Sequence, residues 1–240
     1  MMSDECLVIR NLAVGYGGRA VRSGLSFSLC AGELVSMLGR NGCGKSTLLR
    51  TLAGLQPSVS GYHSLDGLSA AERSRRVALV LTERVALENT TVHEVVAMGR
   101  YPYTDFLGGL REVDEQIVAR SLERVGWVEP SRSFSALSDG ERQRVLIAKA
   151  LAQNTPVILL DEPTAHLDLP SRIALFRLLC SLAHDEGKMV LVSTHELDLA
   201  SEWSDRIMLF SEQEVLLDTP SDLHRADAFN KAFAMDVEKR

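Results

Sequence analysis

The chain has 240 residues, 45% of them apolar, and a formal net charge of −6, which fits one large domain or a core with an inserted subdomain. The charge gives no general attraction to nucleic acid. The opening Met1-Met2-Ser3-Asp4-Glu5 is acidic where a secretory signal would be basic, and no apolar run approaches the ~20 residues that span a bilayer.

From residue 7 to 35, short bursts of alternation (Leu7-Val8-Ile9, Leu25-Ser26-Phe27-Ser28-Leu29) between glycines predict short, partly antiparallel strands. The apolar run Leu34-Val35-Ser36-Met37-Leu38 then leads into Gly39-Arg40-Asn41-Gly42-Cys43-Gly44-Lys45-Ser46-Thr47 and Leu48-Leu49-Arg50-Thr51-Leu52, which reads as strand, glycine-rich loop and helix. Arg73, Arg75 and Arg76 form a small basic cluster, expected to be a solvated face. Arg76 to Leu81, Val157 to Leu160 and Met189 to Val192 are continuous apolar runs of the kind found in parallel strands covered on both faces.

Between about Thr91 and Ala152 no buried-strand signal occurs. Val92, Val95 and Val96 predict one helix, Tyr101-Pro102-Tyr103 breaks it, and Val113 to Val125 predicts another. Ser138-Asp139-Gly140-Glu141 opens a third as a capping box, with Ser138 and Glu141 each satisfying the other's backbone. The tail from Pro220 predicts one or two short amphipathic helices. The fold class is therefore α/β: a phosphate-loop core, with a mostly parallel sheet and N-terminal antiparallel strands, spanning 1–86 and 153–240 and carrying an inserted helical subdomain over 87–152. The cysteines Cys6, Cys30, Cys43 and Cys180 have neither metal-ligand spacing nor a disulfide rhythm, so a reducing compartment suits them.

Chemistry concentrates at two places. Glycines in the loop let backbone N–H groups converge on phosphate oxygens at the positive end of a helix, with Lys45 reaching the β- and γ-phosphates and the Ser46 hydroxyl placed to ligate Mg²⁺. Gly39, Asn41, Gly42, Gly44, Lys45, Ser46 and Thr47 are thus the candidate nucleotide-binding residues. At the end of Val157-Ile158-Leu159-Leu160, Asp161 is a candidate metal ligand and Glu162 a candidate base for the attacking water. Taken alone, His195 after the third apolar strand reads more naturally as structural, and the capping box needs no second role.

In this order, Gly39 to Thr47, Leu137-Ser138-Asp139-Gly140-Glu141, Leu160-Asp161-Glu162-Pro163, Leu167-Asp168 and Thr194-His195 resemble the nucleotide-binding subunit of an ATP-binding-cassette transporter, over nearly the whole chain. The resemblance implies ATP and Mg²⁺ as ligands, Tyr16 stacked on adenine, Ser46 and Asp161 on Mg²⁺, Glu162 as catalytic base and His195 on the γ-phosphate. It further implies a head-to-tail homodimer in which Ser138 and Gly140 bind the nucleotide held by the other subunit, with Asp168 at the seam. Polytopic permease subunits, an indirect substrate-binding protein and a place on the cytoplasmic face of the cell membrane follow from the same resemblance, and nucleic acid is not a partner.

Three positions depart from the family pattern. Thr82, with Glu83 beside it, stands where a metal-touching Gln is usual; Asp139 replaces a commoner Gly, with its side chain expected to turn from the phosphate toward helix N-terminal amides; and Glu141 replaces a commoner Gln. Val95-Val96-Ala97-Met98-Gly99-Arg100-Tyr101-Pro102-Tyr103 looks most like importers of iron-siderophore, haem or cobalamin complexes. The competing functions are a soluble cassette ATPase without a membrane partner, a cassette of another transporter class, a small-molecule kinase and an ATP sensor without turnover.

Overall fold

The computed structural model describes residues 6–81, 87–104, 109–212 and 214–233, so the departure at Thr82 and Glu83 lies outside the described residues. The chain opens with two long antiparallel strands, β1 (Cys6–Tyr16) and β2 (Arg19–Cys30), followed by β3 (Glu33–Gly39) and helix α1 (Lys45–Leu52). β4 (Ser60–His63) returns to pair with β1, giving a three-stranded sheet in the order β2-β1-β4. After the short α2 (Ala70–Ser74) comes β5 (Val77–Val80), and then a helical stretch: α3 (Val92–Ala97), a 3₁₀ segment Met98–Tyr103, α4 (Glu112–Arg124) and α5 (Asp139–Gln153). The chain re-enters sheet at β6 (Val157–Asp161), passes through α6 (Leu169–His184), β7 (Met189–Ser193), α7 (Leu197–Trp203), β8 (Arg206–Phe210) and β9 (Val215–Asp218), and ends in α8 (Pro220–Arg225) and α9 (Ala228–Phe233).

The second sheet has six strands in the order β5-β6-β7-β3-β8-β9, parallel except for β9 on the edge. Both faces are covered, as continuous apolar strands require. Leu159, Leu191 and Met37 meet α1 and the antiparallel sheet through Leu48, Leu52, Ile9 and Leu25 on one side. On the other, Ile158, Leu160 and Val190 meet α5 and α6 through Ile147, Leu175 and Leu179. The helical stretch has its own cluster around Val95, Val118, Phe134 and Val145, and α5 serves both, since Ile147 and Leu151 face the sheet while Val145 and Ala148 face the helices. Arg100 is buried there, donating to Asp114 Oδ1 at 3.0 Å and to the Ala152 carbonyl at 2.8 Å. No helix among the described residues is long and apolar enough to cross a membrane.

Four expectations need correction. The N-terminal strands are long, because register shifts between Ile9 and Leu12 and around Val14 interrupt the alternation and make one strand read as several. β4, β8 and β9 went unforeseen; β4 is four mostly exposed residues, whereas the buried run Ile207–Phe210 in β8 was a usable signal. The basic cluster is a solvated face only in part: Arg75 and Arg76 are exposed, with Arg75 donating to the Pro102 carbonyl at 2.8 Å, but Arg73 is half-buried and donates to the Leu52 carbonyl at 3.1 Å. Finally, Cys6 and Cys30 face each other across β1 and β2 and are disulfide-bonded, a pairing fixed by strand register that spacing does not reveal.

The cysteines give a direct test. Alkylation of the denatured, unreduced chain is expected to label only Cys43 and Cys180, the two free thiols. Labelling of all four without reductant, read by mass spectrometry, would contradict the cross-strand bond.

Candidate functional site

Strands β6, β7 and β3 lie side by side and run parallel, so their carboxyl ends emerge at one edge, where open α/β sheets hold ligands. β3 ends at Gly39 and delivers the glycine-rich loop to α1. Gly44 has φ of 107°, in the region that favours glycine, and a Cβ there would lie 3.3 Å from Arg22 Cβ. No side chain caps α1, which leaves its first-turn N–H groups facing the loop. Lys45 is 4% exposed, and its ammonium donates to the carbonyls of Gly39 at 2.7 Å and Arg40 at 3.1 Å, holding the charge across the loop. Tyr16, the exposed last residue of β1, is brought to the same place, its hydroxyl accepting from Thr47 Oγ1 at 3.4 Å.

β6 ends at the buried Asp161, paired in register with Ser193 at the end of β7. The Ser193 hydroxyl donates to Asp161 Oδ1 at 2.6 Å and accepts from the Glu162 N–H at 2.9 Å, so one side chain fixes both acids. Glu162 has a positive φ of 46°, which turns the chain sharply off the strand before Pro163. That turn brings Glu162 Oε1 to 2.7 Å from His195 Nε2, and an imidazole protonated on Nε2 donates to the carboxylate. Both side chains stay partly exposed, at 30% and 47%, and so are accessible to a ligand and to water. The structure thus brings together Asp161, Glu162 and His195 at the sheet edge where the loop also ends. Sequence reasoning missed Ser193; its signal was a hydroxyl two residues before His195 on a strand directly beside β6.

The second anion-binding candidate is the start of α5. Ser138 and Glu141 form the reciprocal capping box: Glu141 Oε2 accepts from the Ser138 N–H at 2.8 Å and from its hydroxyl at 2.9 Å. Arg132 adds an ion pair to Glu141 Oε1 at 2.7 Å. Asp139 Oδ1 lies 3.3 Å from the Arg142 guanidinium, a full cation three residues on along the same helix. At Gly140, a Cβ would lie 2.9 Å from the His166 carbonyl oxygen, so only glycine lets α5 sit against the turn after Glu162. Asp168 caps α6, accepting from the Ser171 N–H at 3.0 Å.

Comparison with known proteins agrees with this geometry. The ABC transporter family model matches residues 23–165. An iron(3+)-hydroxamate import ATP-binding protein from Bacillus subtilis is 34% identical, aligning 97% of this chain with 89% of its own. A cobalamin import ATP-binding protein from Halobacterium salinarum is 39% identical over 87% of this chain and 54% of its own length. Among solved structures, a dimeric bacterial ABC transporter cassette superposes with a TM-score of 0.79 at 26% identity, covering 89% of this chain and 98% of that one.

The capping box carries a measurable signature. Hydrogen bonds from the Ser138 backbone and hydroxyl, with Arg132 beside them, push the Glu141 carboxyl down to about 2. A carboxyl lowered on folding stabilises the fold above its unfolded value near 4.5, and that stability is lost as pH falls through about 2. An NMR titration is expected to find Glu141 still ionised at pH 3, with Arg132→Met raising its midpoint; titration of the wild-type residue near 4.5 would contradict the box.

Proposed function

The chain belongs to the ABC transporter family, and from that membership we propose that it is the ATP-hydrolysing subunit of an importer for an iron complex or cobalamin. The observation that supports hydrolysis most directly is the Glu162–His195 contact at 2.7 Å, next to Asp161 and at the edge where the glycine-rich loop ends. A kinase passing phosphate to a small molecule has no need of Ser138-x-Gly140 or of His195. The names of the relatives support import, and the dimeric cassette supports assembly as a pair of like chains.

In this reading Tyr16 stacks on adenine, and Gly39, Asn41, Gly42, Gly44, Lys45 and Thr47 hold the phosphates through loop N–H groups and the ammonium. The donor set fits a magnesium nucleotide: the Ser46 hydroxyl and the Asp161 carboxylate would hold Mg²⁺. Among the described residues no cluster of three or more His, Cys, Asp or Glu competes for a bare ion, as suits a metal that takes most of its ligands from phosphate and water. Mg²⁺, when bound, spreads the negative charge of the phosphate oxygens. Glu162 orients the attacking water and accepts its proton, and His195 fixes the rotamer of Glu162 and faces the γ-phosphate.

Ser138 and Gly140 serve the nucleotide of a second copy, head to tail, with Asp168 at the seam; Ser138 then redirects its hydroxyl proton from Glu141 to phosphate. Binding closes the pair and hydrolysis reopens it. The helical stretch 87–152 docks on polytopic permease subunits, which hold the chain at the cytoplasmic face of the membrane and link it to a substrate-binding protein outside. Thr82 would be a third oxygen toward the metal.

Glu162→Gln keeps the shape and removes the base. Steady-state hydrolysis is expected to fall by about 10²-fold or more, with MgATP now holding the chain as a dimer in size-exclusion chromatography. The trapped protein is expected to bring down a polytopic membrane protein from detergent-solubilised membranes. Wild-type turnover in the variant would remove Glu162 as base, and recovery of ribosomes or soluble assembly factors in place of a membrane protein would overturn the importer.

A further inference from the structure

One side chain that neither the motifs nor the proposed chemistry use joins the two turns on which the site depends. Arg172 lies in the first turn of α6, and its guanidinium, 30% exposed, makes two directed bonds. Nε donates to the Leu167 carbonyl at 2.8 Å, just before Asp168 caps α6. Nη1 donates to Glu196 Oε1 at 2.5 Å, on the turn that carries His195. Glu196 occupies the N-cap position of α7 yet makes no capping bond with its side chain; the carboxylate reaches across to Arg172.

These bonds complete a route through the molecule. Gly140 abuts the His166 carbonyl, residues 166–168 lead from the turn after Glu162 to the start of α6, Arg172 grips that segment at Leu167, and Glu196 is bonded in sequence to His195, which contacts Glu162. A planar guanidinium suits such a bridge because it directs two N–H groups along fixed vectors, whereas a lysine ammonium is a point charge. An ion pair this open to solvent contributes little to stability, so the bridge matters for geometry more than for holding the fold.

We propose that Arg172 is a positioning residue that locks the Leu167–Asp168 segment to the Glu196–His195 segment, so that the His195 contact with Glu162 is held in place when a second copy closes against Asp168. This rests on the ATPase dimer proposed above. Arg172 touches no nucleotide; it acts through His195.

The test is MgATP hydrolysis and thermal unfolding of the full chain with Arg172→Ala, Arg172→Lys, Glu196→Ala and the Arg172→Ala/Glu196→Ala double variant. Each alanine variant is expected to lose about tenfold in kcat, since small misplacements of positioned groups cost that order or more. KM is expected to stay within about twofold, because no ground-state nucleotide contact is removed. The double variant should be no slower than either single, and Arg172→Lys should recover part of the loss. Wild-type kcat in Arg172→Ala, additive losses in the double variant, or a kcat that falls only with the thermal midpoint would overturn the proposal. If Arg172→Ala does not fold, Glu196→Ala alone still decides, since its kcat must fall at unchanged KM and unfolding midpoint. A wild-type chain without turnover would sink the ATPase reading itself, and this inference with it, whereas turnover in the wild type matched by Arg172→Ala sinks only the bridge.

Discussion

Everything at the site depends on the register of β6 against β7. Asp161 sits opposite Ser193, and one serine hydroxyl then bonds Asp161 Oδ1 and the Glu162 N–H together. A slip of one residue would send Asp161 into the apolar layer and reverse every side chain of the strand. The burial of all five residues on each strand makes that slip costly, since Leu159 and Leu160 pack into different layers on opposite faces. The apolar pattern that builds the core is therefore also what aims the carboxylates.

From that fixed point the chain must turn abruptly. Glu162 takes a left-handed backbone conformation that costs a non-glycine residue about 1–3 kcal/mol. It is held there by Ser193 on the strand side, through the hydroxyl and the carbonyl, and by the Ala165 N–H on the turn side. Such strain persists only where its surroundings over-determine it, and here it places the carboxylate beside His195 instead of in the sheet. The same turn continues to His166 and Leu167, where α5 and α6 converge, so the start of α5 and the acid at the end of β6 share one piece of backbone. A helix start that would otherwise be only a capping box is thereby joined to the turn that carries Glu162.

Much of this was legible before any coordinates. The continuous apolar runs gave three parallel strands because strands covered on both faces have no polar alternation, and the box at Ser138 and Glu141 formed as its local chemistry requires. What stayed hidden depended on partners distant in sequence. Ser193, Arg172 and Glu196 are unremarked in the sequence and gain meaning only from a neighbour 20 or more residues away, as Arg172 does from Glu196 at a separation of 24. The disulfide between Cys6 and Cys30 escaped for the same reason, since its geometry comes from a strand pair whose bulges blur the pattern.

The central claim is that one chain's phosphate loop is completed by the Ser138 helix of a second copy, and mixing two disabled chains tests it most directly. In a Glu162→Gln background, Lys45→Ala removes the loop's cation and leaves the helix start, whereas Ser138→Arg blocks the helix start and leaves the loop. Analytical ultracentrifugation with MgATP is predicted to find each variant monomeric alone, with dimers holding one ATP per two chains on mixing. A mixture that stays monomeric while the unblocked Glu162→Gln chain dimerises, or a Ser138→Arg chain that dimerises by itself, would contradict it.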